Sequence, residues 1–342
     1  MSLSAVSAFL ALATLDVPKQ ELSAPEQRVW TKVRSSVVTL LQNGVPRGLG
    51  VCVDKLGYFL AHKSACPSPA LFGRLSSGPQ IELRQVAMDE TTQIVRLLSP
   101  TLAEGTVPPV SLGAEPEKAG GTLLAVLPSG PLRAEFVSGE RYGVVSPSRR
   151  LVPLNELRFE ATSSQIGGGL VFNLDGSLMG VLGATLGITE TNRAEFQDMT
   201  KSLGAPGSRT GGGLSLPRPT LPAVQFGPAP QTVAYSVSSS VLQRVVTGLM
   251  SPTRRVIHPA IGVFCRDADE PGAEVASIQP GSPADKAGIM PGDVIISIGG
   301  STIRNQVDVA RITMRLRIGT TVEVRFKRAG LEKTANVAVG SS

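Results

Sequence analysis

The chain has 342 residues, 42% hydrophobic and 18% charged, the balance of an ordinary globular protein with room for two or three domains. Its net charge of +6 comes from scattered lysines and arginines. Arg149-Arg150 and Arg254-Arg255 are the only tight arginine pairs, and no aromatic ladder interleaves them, which argues against a nucleic-acid surface. Three cysteines cannot build a disulfide framework, and with the two histidines, His62 and His258, they show no metal spacing, so neither metal nor cofactor is expected. Cys52 and Cys66 either pair across neighbouring strands or stay as two buried thiols.

Residues 3–15 form an apolar run too short to span a bilayer. Ala11-Leu12-Ala13 fits a small-x-small cleavage site, although the positive leader is missing. Export to a periplasmic or extracellular space is the reading taken; a buried or amphipathic helix in a cytoplasmic protein is the competing one. No other segment is apolar enough to cross a membrane. Residues 1–25 are therefore assigned to a signal segment and linker.

From Glu26 to about Arg34, the spacing of Val29, Trp30 and Val33 predicts a helix. Short apolar runs follow at 37–41, 50–53, 58–61, 81–86, 94–98, 122–127, 133–137, 142–145, 157–161, 169–172 and 178–184, separated by glycine, proline or charged turns. With aromatics at only 4% against 37 glycines and 26 prolines, the pattern predicts a mostly β sandwich or barrel. Residues 187–232 are an irregular stretch rich in glycine and proline. A strand is expected at 233–237, then a helix capped by Ser239 and running to about Leu249. A second unit is expected over 258–342. It has strands near 261–264, 273–278, 322–326 and 334–339, a short helix at 284–287 and an amphipathic helix at 306–316.

Several motifs, in order, resemble the HtrA/Deg family, trypsin-like serine proteases that carry PDZ domains. Gly48-Leu-Gly-Val-Cys-Val-Asp-Lys-Leu-Gly-Tyr-Phe-Leu resembles its Gly-Ser-Gly strand, Asp turn and Gly-Tyr-Ile-Leu strand. Ser111-Leu-Gly-Ala-Glu-Pro-Glu-Lys-Ala-Gly-Gly resembles the segment between its barrels, Val137-Ser-Gly a turn of the second barrel, and Tyr235-Ser-Val-Ser-Ser-Ser-Val-Leu the closing segment. Gly281-Ser-Pro-Ala-Asp-Lys-Ala-Gly-Ile-Met-Pro-Gly-Asp-Val-Ile-Ile resembles its most recognisable PDZ run. The resemblance implies a double six-stranded, chymotrypsin-like β-barrel over 26–250, interrupted at 187–232, followed by a PDZ domain over 258–342.

Serine-protease chemistry needs a serine, a histidine to take its proton and an aspartate to hold that histidine. The family's Gly-Asn-Ser-Gly-Gly is matched by Gln165-Ile-Gly-Gly-Gly, which puts Gly167 at the nucleophile. Its histidine position falls on Ser64, and its aspartate position on Gln93 within Thr92-Gln-Ile-Val-Arg-Leu. His62 lies two residues early and is expected at the surface. Ser163 and Ser164 lie outside the serine turn and read as ordinary loop residues, and oxyanion-type amides would survive near 165–167. No catalytic residue is predicted. The barrel pair reads as a pseudoprotease; the alternative is an active serine endopeptidase that uses His62 with Ser163 or Ser164.

PDZ domains bind extended peptides, usually C-termini, as an added strand. The resemblance places that site on Ile261, Gly262 and Val263 of the loop His258-Pro-Ala-Ile-Gly-Val and on Val309, Ile312 and Leu316 of the helix. The expected ligand is a C-terminal or unfolded peptide with a hydrophobic end, the expected role an adaptor in protein quality control or a regulator. Homo- or hetero-oligomers with related chains are implied by the family's habit of assembling. A purely structural envelope protein is the weakest reading.

Overall fold

Short apolar runs separated by glycine, proline or charged turns build a chain of short antiparallel strands, as the sequence predicts. The computed structural model describes residues 21–116, 118–145, 151–160, 168–183, 186–188 and 231–341. The apolar run at 3–15, Arg149-Arg150, Ser163, Ser164, Gly167 and most of the 187–232 stretch lie outside the described residues.

Helix α1 (Ala24–Val33) opens the first unit. It starts two residues earlier than predicted, because the Ser23 amide donates to Glu26 Oε2 at 2.6 Å and Pro25 is tolerated in a first turn. Six strands close the first barrel: β1 (Val37–Gln42), β2 (Val45–Cys52), β3 (Tyr58–His62), β4 (Ala70–Leu75), β5 (Gln80–Asp89) and β6 (Ile94–Leu98), in the order β1-β2-β3-β6-β5-β4. Strand β4 was not anticipated, because its burial alternates with exposed Ala70, Phe72 and Arg74 and leaves no continuous apolar run. Inward residues such as Val38, Leu40, Phe59, Leu83 and Leu97 fill the barrel. Gly73 faces them, and a Cβ there would stand 2.6 Å from Val38 and 2.7 Å from Leu83. Cys52 and Cys66 are free, fully buried thiols, pushed up to about 11 and about 12 by burial.

The second barrel uses β7 (Gly121–Leu127), β8 (Gly130–Val145), β9 (Leu151–Glu160), β10 (Leu170–Phe172), β11 (Leu178–Val181), β12 (Leu186–Ile188) and β13 (Gln231–Val237). Its order is β11-β10-β7-β8-β9-β13, with β12 on β8, and a bridge from Leu182 to Ser236 joins the two ends. Val137-Ser-Gly is not a turn; it is a bulged stretch inside the long β8. Helix α2 (Ser239–Met250) follows, its N-cap at Ser238 one residue before the predicted Ser239. Val29, Val33, Leu154, Phe172, Val241 and Val245 belong to one apolar cluster that joins the barrels to α1 and α2. Buried Arg96 lies over the Tyr58 ring and donates to the carbonyl of Leu249 at 2.6 Å, a cation at the C-terminal end of α2.

The last unit holds β14 (Pro259–Ala260), β15 (Val263–Asp267), β16 (Ala273–Ile278), helix α3 (Pro283–Lys286), β17 (Val294–Ile298), β18 (Ser301–Thr302), helix α4 (Gln306–Arg315), β19 (Thr321–Arg328), β20 (Leu331–Ala338) and β21 (Gly340–Ser341). Its main sheet runs β15-β16-β17-β19-β20, so β15 is an edge strand, and β14 pairs with β21. Among the described residues, no helix is long and apolar enough to cross a membrane.

Candidate functional site

Two places collect the predicted residues: the cleft between the barrels and the groove along β15. In the cleft, the Lys63 amide donates to Gln93 O at 2.8 Å, so the chain at Ser64 lies beside Gln93. Gly48, Ala65 and Gly168 pack so closely that a Cβ on Gly168 would stand 2.8 Å from Ala65 and 2.9 Å from the Cα of Gly48. The Leu49 amide donates to Gly168 O at 2.7 Å, and the Gly168 amide to Leu182 O at 2.9 Å. Ser64, Gln93 and the residue that follows position 167 thus converge from three distant segments.

Gln93 has a φ of 58°, left-handed backbone that a non-glycine residue adopts at a cost of about 1–2 kcal/mol. Its side chain turns away from Ser64, with Nε2 donating to Glu90 O at 2.7 Å. Ser64 is exposed, and its hydroxyl pairs with His62 Nδ1 at 2.8 Å. His62 is not the surface residue expected: it is only 3% exposed. It ends β3, whose last four residues are all buried, and the ring packs on Gly183, where a Cβ would meet Nε2 at 2.6 Å. Burial pulls His62 down from 6.5 to about 4, so the ring is neutral near pH 7. It receives the Ser64 amide at 3.2 Å and caps the 3-10 turn Lys63–Ala65.

Asp89 ends β5 and is buried. Its Oδ2 accepts from the Thr92 amide and hydroxyl at 3.0 and 2.7 Å. Its Oδ1 lies 3.0 Å from Nε2 of buried His258, 169 residues away. Desolvation opposes its ionisation, but the bonds to His258 and Thr92 outweigh it and hold the carboxyl below its usual range. This pair joins the first barrel to the start of the last unit, and no local pattern announced it.

The groove lies between β15 and α4, a cavity of ≈ 350 Å³. Ile261, Gly262, Val263 and Val309 line it, together with Thr313 and Met314. Ile312 and Leu316, predicted with them, do not. Ile312 falls about 60° from Val309 on the opposite side from Thr313 and packs into the core of the last unit. Helix α4 ends at Arg315, and Leu316 leaves it in extended conformation with a ψ of 158°. Gly262 has a φ of +83°, and a Cβ there would stand 2.5 Å from Ser282 Oγ. Among the described residues, no Lys, Arg, His, Asp or Glu lines the groove. Cys265, which does, is pushed by burial up to about 12 and keeps its proton. Among the described residues no group of His, Cys, Asp and Glu could hold a metal.

Two antiparallel barrels meeting at a cleft, followed by a sheet whose edge strand faces a helix, define a trypsin-like fold with a PDZ domain. Residues 259–339 match the family model of the PDZ domain. The chain is 27% identical over 305 residues to a probable periplasmic serine endoprotease DegP-like of Pseudomonas fulva (strain 12-X), over 86% of this chain and 56% of the relative. It is 31% identical over 123 residues to a protein of the same description from Rhizobium meliloti (strain 1021), over 32% of this chain and 24% of the relative. The chain therefore spans about half or less of the length of these relatives. The solved "HtrA-type protease AlgW with decapeptide" has the same fold, with a TM-score of 0.61 at 14% identity over 94% of this chain and 99% of that one. Over most of its length the chain is similar to proteins described as DegP-like serine endoproteases, and residues 259–339 form a PDZ domain.

Proposed function

We propose that this chain is a pseudoprotease of its family that binds protein C-termini or unfolded segments through its PDZ groove, as an adaptor or regulator in protein quality control. One observation carries the proposal: positions 64, 93 and 167, matched to the histidine, aspartate and serine, hold serine, glutamine and glycine. A hydrogen atom cannot attack a carbonyl, and glutamine cannot supply the carboxylate that stabilises imidazolium. The groove keeps what peptide addition needs. It has an edge strand, a glycine loop, and an uncharged lining suited to an apolar terminal side chain. Solved relatives are described with a decapeptide and a tripeptide, which supports a peptide as the occupant. Residence outside the cytoplasm fits the relatives described as periplasmic, and mixed assembly with active relatives is one route to regulation.

The relatives' description as serine endoproteases favours a second reading, an active enzyme with a rearranged site using His62 with Ser163 or Ser164. A serine-reactive fluorophosphonate probe and unfolded casein separate the two. The pseudoprotease reading expects no labelling and no cleavage. Labelling that disappears in the Ser163→Ala/Ser164→Ala variant overturns it.

A further inference from the structure

The groove has two walls of different origin. Ile261, Val263 and Val309 belong to the apolar cluster of the PDZ domain itself. Met314 lines the same groove but belongs to the cluster between the barrels, with Val152, Leu154, Val241 and Val245. It is only 6% exposed although it forms part of an open groove. The backbone is held from the same side. Arg244 Nη1, on α2, donates to Met314 O at 3.1 Å, and Arg315 Nη2 donates to Gly139 O at 3.3 Å. Helix α4 packs against β9 as well as against the PDZ strands.

We propose that Met314 sets which terminal side chain the groove accepts, and that the barrel unit positions it through Arg244. The inference rests on the peptide-binding reading above. The physical reason is a division of rigidity. The walls from Ile261, Val263 and Val309 are fixed by the core of the PDZ domain, whatever the barrels do. The Met314 wall is fixed by a different body. A methionine has three rotatable bonds and a polarisable thioether, so its position follows the contacts that hold it. One methylene more or less in an apolar pocket changes affinity about tenfold, so a small displacement of this wall changes selectivity before it changes folding. Selectivity is then a property of the docked barrels and PDZ domain together.

The test uses the full chain and short fluorescent peptides that differ only in a C-terminal Val, Leu or Phe, read by anisotropy. In Met314→Ala the enlarged pocket is expected to shift the Phe-to-Val affinity ratio about tenfold toward Phe. Arg244→Ala removes no groove atom, and it is expected to shift the same ratio about threefold through the lost bond to Met314 O. Met314→Leu and Arg244→Lys serve where an alanine variant unfolds, and thermal unfolding is followed for each. Both are expected to shift the ratio in the same sense, by less. Wild-type binding with ratios that stay within twofold in every folded variant overturns the inference and leaves the peptide reading intact. No binding of any peptide by wild type overturns the peptide reading, and this inference falls with it.

Discussion

The inter-barrel cleft and the PDZ groove stand under opposite demands. Acyl transfer uses three particular side chains whose atoms must move a proton and attack a carbon. Peptide addition to a sheet edge uses backbone groups, which any sequence that keeps the edge will supply. The cleft of this chain keeps its backbone convergence of Ser64, Gln93 and Gly168. The groove keeps both a free edge and an apolar lining. Under the proposed reading, substitution of three residues ends catalysis while many substitutions around the groove leave binding in place.

That contrast can be broken at the seam first. His258→Ala would leave buried Asp89 without its imidazole, and the expected cost is about 3–5 kcal/mol of unfolding free energy in denaturant titration. A change below about 1 kcal/mol would mean that the pair is solvated in practice.

The pH dependence of His62 comes next. Folding lowers its pKa from 6.5 to about 4, so its contribution is complete above pH 6.5 and is lost as the pH falls to 4. About 3 kcal/mol should disappear across that window, and His62→Asn should flatten the profile there. An unchanged profile would show that the ring is not buried as described.

A Cβ at Gly262 meets left-handed backbone and Ser282 at once, so Gly262→Ala should cost about 1–2 kcal/mol and weaken peptide binding about tenfold or more. Gln93→Ala should leave peptide affinity unchanged, because its side chain donates to Glu90 O and is not part of the groove lining. Equal effects of the two variants on affinity would erase the distinction between cleft and groove.

The smallest effect concerns the cap of α4. Asn305 accepts from the Asp308 amide at 3.0 Å, and Asn305→Ala should cost about 1 kcal/mol in thermal unfolding.

Much of this architecture was legible in the chain. Strands such as 37–41 and 94–98 announce themselves because both faces are buried and the apolar run is nearly continuous. Strand β4 was invisible because alternate residues face solvent. Ile312, expected in the groove, packs into the core of the last unit, because helical spacing alone cannot say which neighbour a face meets. His62 was misread because a polar ring at a strand end gives no local sign of burial.

By itself the sequence determined the succession of short strands, the PDZ domain matched over 259–339 and the side chains at positions 64, 93 and 167, because these are local patterns or plain identities. Tertiary structure alone decided that His62 lies under Gly183, that Asp89 meets His258, that Arg96 reaches Leu249 across 153 residues and that Met314 serves two cores. The reason is physical: turn chemistry and periodicity act over a few residues, whereas those four contacts exist only after distant segments have packed.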